Sequence, residues 1–229
     1  MSFICRNLEI VKQKIDAARS GGGNSAASVE LVAVTKKVMP ERIREAIEEG
    51  HKLFGENKVQ ELLSKQPLLP ANLRWHLIGH LQSNKIRKVL PAVEMIQSVD
   101  SLDLARDINR IAAELGLFPK VLLEVNVAGE ASKFGFQPEV LKETLEDLLA
   151  LDRLEIQGLM CIPPPVEELE EARPFFVTLR ELRDDLQRRA GAPFPTLSMG
   201  MSHDYEIAIQ EGATIVRVGT AIFGERPVE

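Results

Sequence analysis

The sequence predicts an α/β protein built as a single closed (β/α)8 barrel of the TIM-barrel type, with an extra helix before the first strand. Three observations predict this fold. Eight short apolar runs typical of strands recur along the chain, and helical patterns separate them. Their strict alternation implies parallel strands joined by right-handed crossovers. The length of 229 residues fits one barrel domain over 1–229.

The predicted strands are short and strongly apolar. The first contains the run LVAV at 31–34, which has no polar face and is typical of a strand covered on both sides in a parallel sheet. An open doubly wound sheet is the alternative fold. No Gly-rich G-x-G-x-x-G turn follows the first strand, which removes the commonest reason to prefer it. The eight predicted strands cover 29–36, 52–57, 74–79, 94–99, 120–127, 156–162, 195–200 and 214–220.

Helix signals occupy the segments between these strands. Pro40 in a first turn and Gly50 at an end delimit one helix, and Ser101 as a cap and Gly116 as a terminator delimit another. The small polar segment GGGNSAAS at 21–28 predicts a flexible linker before the first strand. The remaining helices are predicted at 7–19, 58–66, 81–90, 137–151, 166–191 and 202–212.

Composition excludes several classes of function. The net charge of −6, with Lys and Arg interleaved among acidic residues, gives no basic patch for nucleic acid. No apolar run reaches membrane-spanning length, and the N-terminus has no signal-peptide core, so we expect a cytoplasmic protein. Cys5 and Cys161 lie far apart and lack metal-ligand spacing, so we expect two reduced thiols and no metal site.

The ends of the last two predicted strands carry a pattern that suits an anion. In barrels of this type the C-terminal strand ends form the functional face, and the loops after strands seven and eight commonly bind phosphate. Gly200 and Gly219 allow close approach of backbone N–H groups, and Ser198, Ser202 and Thr220 offer hydroxyls. A helix beginning near Ser202 would add its N-terminal dipole. The alternative is that Ser202 is only an N-cap and Gly219 only a turn residue.

A lysine follows the first predicted strand. Alternation places Val32, Val34 and Lys36 on one face, and the preference of barrel interiors for branched residues predicts that this face points inward and that Lys37 points outward. A partly desolvated amine is a better nucleophile towards carbonyls. A phosphate site beside such a lysine suggests a pyridoxal phosphate Schiff base. The alternative is an ordinary solvated lysine.

Several long motifs then identify a resemblance that covers nearly the whole chain. The chain resembles the pyridoxal phosphate homeostasis protein family, whose fold is similar to the N-terminal barrel of bacterial alanine racemases (pyridoxal phosphate fold type III). The motifs are AVTK at 33–36, FGEN-x-VQE at 54–61, WHLIGHLQSNK at 75–85, SVDS at 98–101, NVAGEASKFGF at 126–136, GLM at 158–160, LSMGMSHD at 197–204 and VRVGTAIFGER at 216–226.

The resemblance implies pyridoxal 5'-phosphate bound covalently to Lys36 as an internal aldimine. It also implies that Arg217 faces the pyridine nitrogen and that Asn57 lies near the ring or its 3-oxygen. His80 and Lys133 are weaker candidates for contact with the cofactor, and Glu56 is expected to be structural. The residues implied to hold the phosphate are Ser198, Gly200, Met201, Ser202, Gly219 and Thr220.

The resemblance to racemases has limits that bear on function. Racemases add a C-terminal β-domain and use a tyrosine from a partner subunit, whereas this sequence ends at Glu229 and its only tyrosine is Tyr205. The resemblance therefore implies a monomer that holds pyridoxal phosphate for intracellular homeostasis without substantial turnover, with pyridoxal phosphate-dependent apoenzymes as candidate partners. The alternatives are a slow amino-acid racemase or transaminase-like enzyme, and a cofactor-free Schiff-base aldolase.

Overall fold

The eight strands of the chain form a closed parallel barrel in sequence order, as predicted. This architecture comes from a computed structural model that describes residues 2–21, 28–130 and 133–225. The predicted linker at 21–28 falls almost wholly outside the described residues. The strands are β1 Glu30–Val34, β2 Leu53–Glu56, β3 Arg74–Leu77, β4 Met95–Val99, β5 Lys120–Val125, β6 Glu155–Cys161, β7 Thr196–Ser198 and β8 Ile215–Val218.

Pairing between the first and last strands closes the barrel. Ala33 of β1 lies opposite Val218 of β8, and Val34 lies opposite Gly55 of β2. A closed sheet leaves no unpaired edge, so every strand end contributes to one of two rims. The site therefore depends on which residues leave the strands at the carboxyl rim.

The helices surround this barrel. The predicted caps of one helix are confirmed, because the Ser101 hydroxyl accepts the Leu104 N–H and Gly116 ends the helix with φ 67°. The helices are α1 Phe3–Gly21, α2 Pro40–Glu48, α3 Val59–Lys65, α4 Ile86–Val89, α5 Leu102–Leu115, α6 Pro138–Glu143, α7 Leu145–Leu149, α8 Arg173–Ala190, α9 Tyr205–Gln210 and α10 Thr220–Phe223.

Several helix predictions need correction. The helix predicted over 137–151 is divided at Thr144 into α6 and α7, and the one predicted from 166 begins at Arg173. The helix expected to begin near Ser202 begins at Tyr205, because a turn precedes it. The short helix α10 directly after β8 was not predicted.

Alternate residues of the strands face two different cores. Val32 of β1 packs inside the barrel with Leu53 and Ile215, whereas Leu31 and Ala33 pack in the larger core under the helices. The inward orientation predicted for Val32 is therefore confirmed. The barrel is filled by side chains from its own strands, and an outer apolar layer attaches the helices to it.

The N-terminal helix α1 packs beside the carboxyl-rim elements α9 and α10. The Asn7 side-chain amide donates to the carbonyl of Ile222 at 3.0 Å, which ties α1 to the short helix after β8. Within the described part of the chain, no helix combines the length and apolar character needed to cross a bilayer.

Candidate functional site

A cavity of about 290 Å³ opens at the carboxyl rim. Its walls come from the ends of β1, β2, β3, β6 and β8 and from the loop after β7, so residues distant in sequence meet there. Seven of the nine residues predicted for the site line this cavity. The lining consists of Val34, Lys36, Asn57, Ile78, Ile162, Met201, Ser202, His203, Arg217, Gly219 and Thr220.

Lys36 lies on the interior side of its strand end, as alternation predicted. It lines the cavity together with Val34, whereas Lys37 is exposed. Gly55 of β2 leaves room for the inward side chain of Val32 on the same face of the sheet, because a Cβ at position 55 would lie 2.6 Å from Val32 Cγ1. The barrel thus brings one lysine of the Lys-Lys pair to the cavity and leaves the other on the surface.

Asn57 is brought to the cavity by close contact between the ends of β2 and β3. A Cβ at Gly79 would lie 2.5 Å from the carbonyl oxygen of Asn57, so only glycine fits at this position. Ile78 lies beside Asn57 in the lining and was missed by sequence reasoning. Its signal was available, because Ile78 continues the inward alternation of Arg74 and His76.

Ser198 and Gly200, which were predicted to hold the phosphate, are not among the residues that line this cavity. Ser198 is fully buried one layer deeper in the barrel. Gly200 has φ 92°, and a Cβ there would lie 2.6 Å from the Cβ of Ala208. Gly200 therefore allows the loop after β7 to pack tightly on α9.

Ser202 and the start of α10 form the polar wall of the cavity. The Ser202 hydroxyl oxygen accepts the N–H groups of Gly219 at 3.2 Å and Ala221 at 3.3 Å. These two bonds tie the loop after β7 to the start of α10, and Ser202, Gly219 and Thr220 all line the cavity. Backbone N–H groups and hydroxyls together suit a phosphate. The helix that begins at this wall is α10, whereas the helix predicted to begin near Ser202 is α9.

Arg217 is buried and held on several sides. Its Nη1 donates to Ser198 Oγ at 2.6 Å, its Nη2 donates to the Cys161 carbonyl at 2.7 Å, and its backbone N–H donates to Gly200 O at 3.0 Å. Burial lowers the pKa of Arg217, but the ordinary pKa of a guanidinium is so high that it stays charged. The orientation of this fixed cation is set by the barrel.

A chain of hydrogen bonds leads from Arg217 into the barrel. Ser198 Oγ donates to Gln97 Oε1 at 2.6 Å, and Gln97 Nε2 lies 2.8 Å from His76 Nδ1. Because Gln97 Nε2 can only donate, Nδ1 accepts and the proton of His76 is assigned to Nε2. Burial lowers the pKa of His76 to about 4, so it is neutral at pH 7. Ser198 therefore orients Arg217.

Glu124 is a second buried charge inside the barrel and was missed in the sequence. Only 8% of it is exposed. Burial raises the pKa of its carboxyl to about 7; Asp100 adds to the rise, whereas Arg217 lowers it. Its position on the inward alternation from Leu122 was the available signal. Glu124 thus titrates near neutral pH in the same interior as Arg217.

Glu56 is structural, as the sequence analysis expected. It is fully buried, and its Oε1 accepts the Thr35 hydroxyl at 2.6 Å and Lys65 Nζ at 2.7 Å. Burial raises the pKa of the Glu56 carboxyl, and the bonds from Lys65 and Thr35 oppose that rise. The partner, Lys65, is a buried lysine that sequence reasoning missed.

The two weaker candidates lie outside the cavity lining. His80 Nδ1 is 2.8 Å from Asp100 Oδ2, and the His80 ring stacks on Phe134 with 3.9 Å between centroids. Lys133 is exposed. The structure therefore gives His80 a position at the mouth of the barrel with partners of its own.

Cys5 and Cys161 are both buried and are not joined by a disulfide. Burial raises the pKa of Cys161 to about 12, which keeps its thiol protonated. In 2–21, 28–130 and 133–225 no group of three or more His, Cys, Asp or Glu side chains has a geometry that could hold a metal ion.

The donor set of the cavity defines the ligand chemistry that fits it. A primary amine at Lys36 can bond to an aldehyde, and the wall at Ser202, Gly219 and Thr220 can hold a phosphate. The guanidinium of Arg217 can face an acceptor atom of a ring. A small aromatic aldehyde that carries a phosphate meets all three requirements, so the residues fit pyridoxal phosphate.

A family model and the sequences of known proteins indicate the same family for this chain. Residues 7–227 match the family model "Alanine racemase, N-terminal domain". The chain is 47% identical over 223 residues to the pyridoxal phosphate homeostasis protein of Aquifex aeolicus, covering 97% of this chain and 98% of that protein. It is 40% identical to the protein of that name from Escherichia coli, over 99% of this chain and 98% of the relative.

Solved structures agree in fold. PipY of Synechococcus elongatus with PLP bound is 41% identical, covers 93% of this chain and 99% of its own, and superposes with a TM-score of 0.82. An alanine racemase of Clostridium difficile, at 19% identity, superposes with a TM-score of 0.74 over 98% of this chain and 57% of the racemase. The second match shows a shared barrel alone.

Proposed function

The chain belongs to the pyridoxal phosphate homeostasis protein family, and from this premise we propose that it binds pyridoxal 5'-phosphate on Lys36 and holds it for intracellular homeostasis. One observation carries the proposal. The Lys36 amine and the anion-binding wall at Ser202, Gly219 and Thr220 line one cavity. A relative at 41% identity has PLP bound, by its own description.

The roles of the residues follow from their chemistry. When bound, pyridoxal phosphate supplies an aldehyde, a phosphate and a pyridine ring. Lys36 contributes the amine that bonds to the aldehyde carbon with loss of one water. The hydroxyls of Ser202 and Thr220, with backbone N–H groups of the loop after β7 and of the start of α10, donate hydrogen bonds to the phosphate. Asn57 lies beside Lys36 in the lining and orients the ring edge.

Arg217 favours holding over turnover. Its guanidinium has five N–H donors and no acceptor, so donors remain for the pyridine nitrogen beyond the bonds to Ser198 and Cys161. Because arginine keeps its proton, it leaves that nitrogen unprotonated. An unprotonated pyridine is a poor electron sink, so carbanion chemistry at a bound amino acid is restrained.

The lining also favours a binding function. Among its described members the titratable side chains are Lys36, His203 and Arg217, and there is no carboxylate or tyrosine. Two-base chemistry needs a proton donor opposite the lysine, and this lining offers none besides His203. We propose that turnover is insubstantial and that pyridoxal phosphate-dependent apoenzymes receive the cofactor. The two free thiols suit a cytoplasmic location.

Borohydride reduction of the purified protein mixed with pyridoxal phosphate tests the proposal. We expect one adduct, mapped by peptide mass spectrometry to Lys36, and none in Lys36→Ala. Lys37→Ala is the matched control, because this neighbouring lysine is exposed, and it should retain the adduct. An adduct on another lysine, or none, would reject the proposal.

A slow Cα-proton exchange on amino acids is the second candidate, and the presence of His203 in the lining favours it. It predicts deuterium incorporation into D- or L-amino acids in heavy water that depends on both Lys36 and His203. NMR of a panel of amino acids measures this directly. The proposal of a holding protein expects no incorporation above the Lys36→Ala background.

A further inference from the structure

A buried lysine outside the cavity joins the elements on both sides of Lys36. Lys65, at the end of α3, is 6% exposed. Its Nζ donates to Thr35 O at 2.6 Å, Glu56 Oε1 at 2.7 Å and Glu61 Oε1 at 2.6 Å. These three bonds use every proton of an ammonium group. We call Thr35, Glu56, Glu61 and Lys65 the Lys65 cluster.

The Lys65 cluster holds the backbone immediately before Lys36. Thr35 donates its N–H to Gly55 O at 3.0 Å and its hydroxyl to Glu56, and its carbonyl accepts Lys65. Thr35 is fully buried. With donor, hydroxyl and carbonyl all engaged, the peptide plane that leads into Lys36 has one orientation.

The same cluster holds the residue immediately after Lys36. The Lys37 N–H donates to Glu61 Oε1 at 2.5 Å, and that oxygen also accepts Lys65. Lys37 has φ 58°, a left-handed conformation that a residue with a side chain adopts only when its surroundings hold it. The turn at Lys37 is thus held by two bonds: the backbone bond from the Val38 N–H to Thr35 O at 2.9 Å, and the bond from the Lys37 N–H to Glu61.

We propose that Lys65 is a positioning residue for Lys36, which keeps the reactive amine in register with the anion-binding wall. The inference rests on the proposed function, since it needs Lys36 to bond with the cofactor. Lys65 touches the backbone and the carboxylates around Lys36 and does not line the cavity. It acts by geometry, and small displacements of a reactive group have large effects on bond formation.

Two ligands separate this role from a general loss of structure. Pyridoxal 5'-phosphate can bond covalently, whereas pyridoxine 5'-phosphate carries an alcohol in place of the aldehyde and binds only through its ring and phosphate. For Lys65→Met we expect the affinity for pyridoxal phosphate and the rate of adduct formation to fall by about tenfold or more. The affinity for pyridoxine phosphate should change by less than about twofold, because the phosphate wall on β8 and α10 is untouched.

Milder variants keep the test decisive if Lys65→Met does not fold. Glu56→Gln with Lys65→Met leaves no unpaired buried charge. Glu61→Ala removes the acceptor of Lys37 N–H from a side chain that is 22% exposed, and should give a smaller loss with the same ligand preference. Arg74→Met is the matched control, because Arg74 also binds two carboxylates, Glu30 and Glu94, at the opposite rim.

The outcomes of the two hypotheses differ. The positioning role would be overturned if the folded variants lost affinity equally for pyridoxal phosphate and pyridoxine phosphate. Unchanged affinity for pyridoxal phosphate would overturn it as well. Arg74→Met should match the wild-type protein for both ligands, and a covalent defect in this variant would also overturn it. If the wild-type protein forms no adduct on Lys36, the proposed function itself is rejected, and the positioning role is rejected with it.

Discussion

Each rim of the barrel has one cation that binds two carboxylates, but the two clusters differ in burial. At the amino rim Arg74 binds Glu30 and Glu94, with 42% of its side chain exposed. At the carboxyl rim Lys65 binds the fully buried Glu56 and the partly buried Glu61, with 7% of its own side chain exposed. A solvated pair contributes little to stability, whereas a buried one must be fully satisfied. The carboxyl rim therefore keeps buried charges, which are costly to desolvate, next to the backbone that positions Lys36.

Removing each cation should expose the difference between the rims most strongly. Lys65→Met leaves Glu56 buried without its counter-charge, so we expect the free energy of unfolding to fall by about 3–5 kcal/mol. Arg74→Met removes a solvent-screened pair and should cost at most about 1 kcal/mol. Urea denaturation measures both. Equal losses of unfolding free energy in the two variants would contradict the difference in burial between the two clusters.

Titration gives the next largest contrast. At the carboxyl side Glu124 has a pKa raised by burial to about 7 in the folded protein, against an ordinary 4.5. Folding is therefore unaffected by this ionisation below about pH 4.5, and stability falls as pH rises from there through about 7, where the buried carboxylate becomes charged. Glu124→Gln should increase stability at pH 8 by about 3 kcal/mol and change little at pH 4.5, as measured by denaturation across pH.

The amino rim titrates in the opposite sense. Burial lowers the pKa of His51 to about 4, from an ordinary 6.5. The unfolded chain then binds the proton more readily, so the His51 contribution is full above about pH 6.5 and lost as pH falls through about 4. His51→Gln should flatten the acid limb and leave the alkaline limb unchanged. Loss of the alkaline limb in this variant would contradict the assignment.

Glycines at the two rims provide the smallest contrast. Gly200 has φ 92° and a Cβ there would meet Ala208 and Tyr205, so Gly200→Ala should cost about 2 kcal/mol. Gly116 at the amino rim has φ 67° and open space around its Cβ position, so Gly116→Ala should cost about 1 kcal/mol. Thermal unfolding measures both. Gly200→Ala should also weaken phosphate-ligand binding, and Gly116→Ala should not.

The sequence predicted the barrel because its signals are local and periodic. Eight apolar runs, alternation in β1 and the caps at Ser101 and Gly116 each lie within a few residues. The face of Lys36 followed from the same alternation. The four-residue α10 escaped prediction because one turn of helix has no periodic signal.

Side-chain networks could not be predicted in the same way. Ser198 was expected at the phosphate, but its hydroxyl pairs with Gln97 and Arg217 across the barrel. Lys65 looked like an ordinary helix lysine, because its partner Thr35 follows β1 and its partner Glu56 ends β2. Such contacts depend on three-dimensional register between distant segments, and a single sequence does not contain that register.

The seam between β1 and β8 has a consequence for biosynthesis. Lys36 follows the first strand and Arg217 belongs to the last, which pairs with the first through Val32 and Arg217, and both residues line the cavity. A chain still emerging from the ribosome lacks β8 and hence the wall at Gly219. On the proposed function, a translation product that stops before β8 is therefore expected to bind no pyridoxal phosphate.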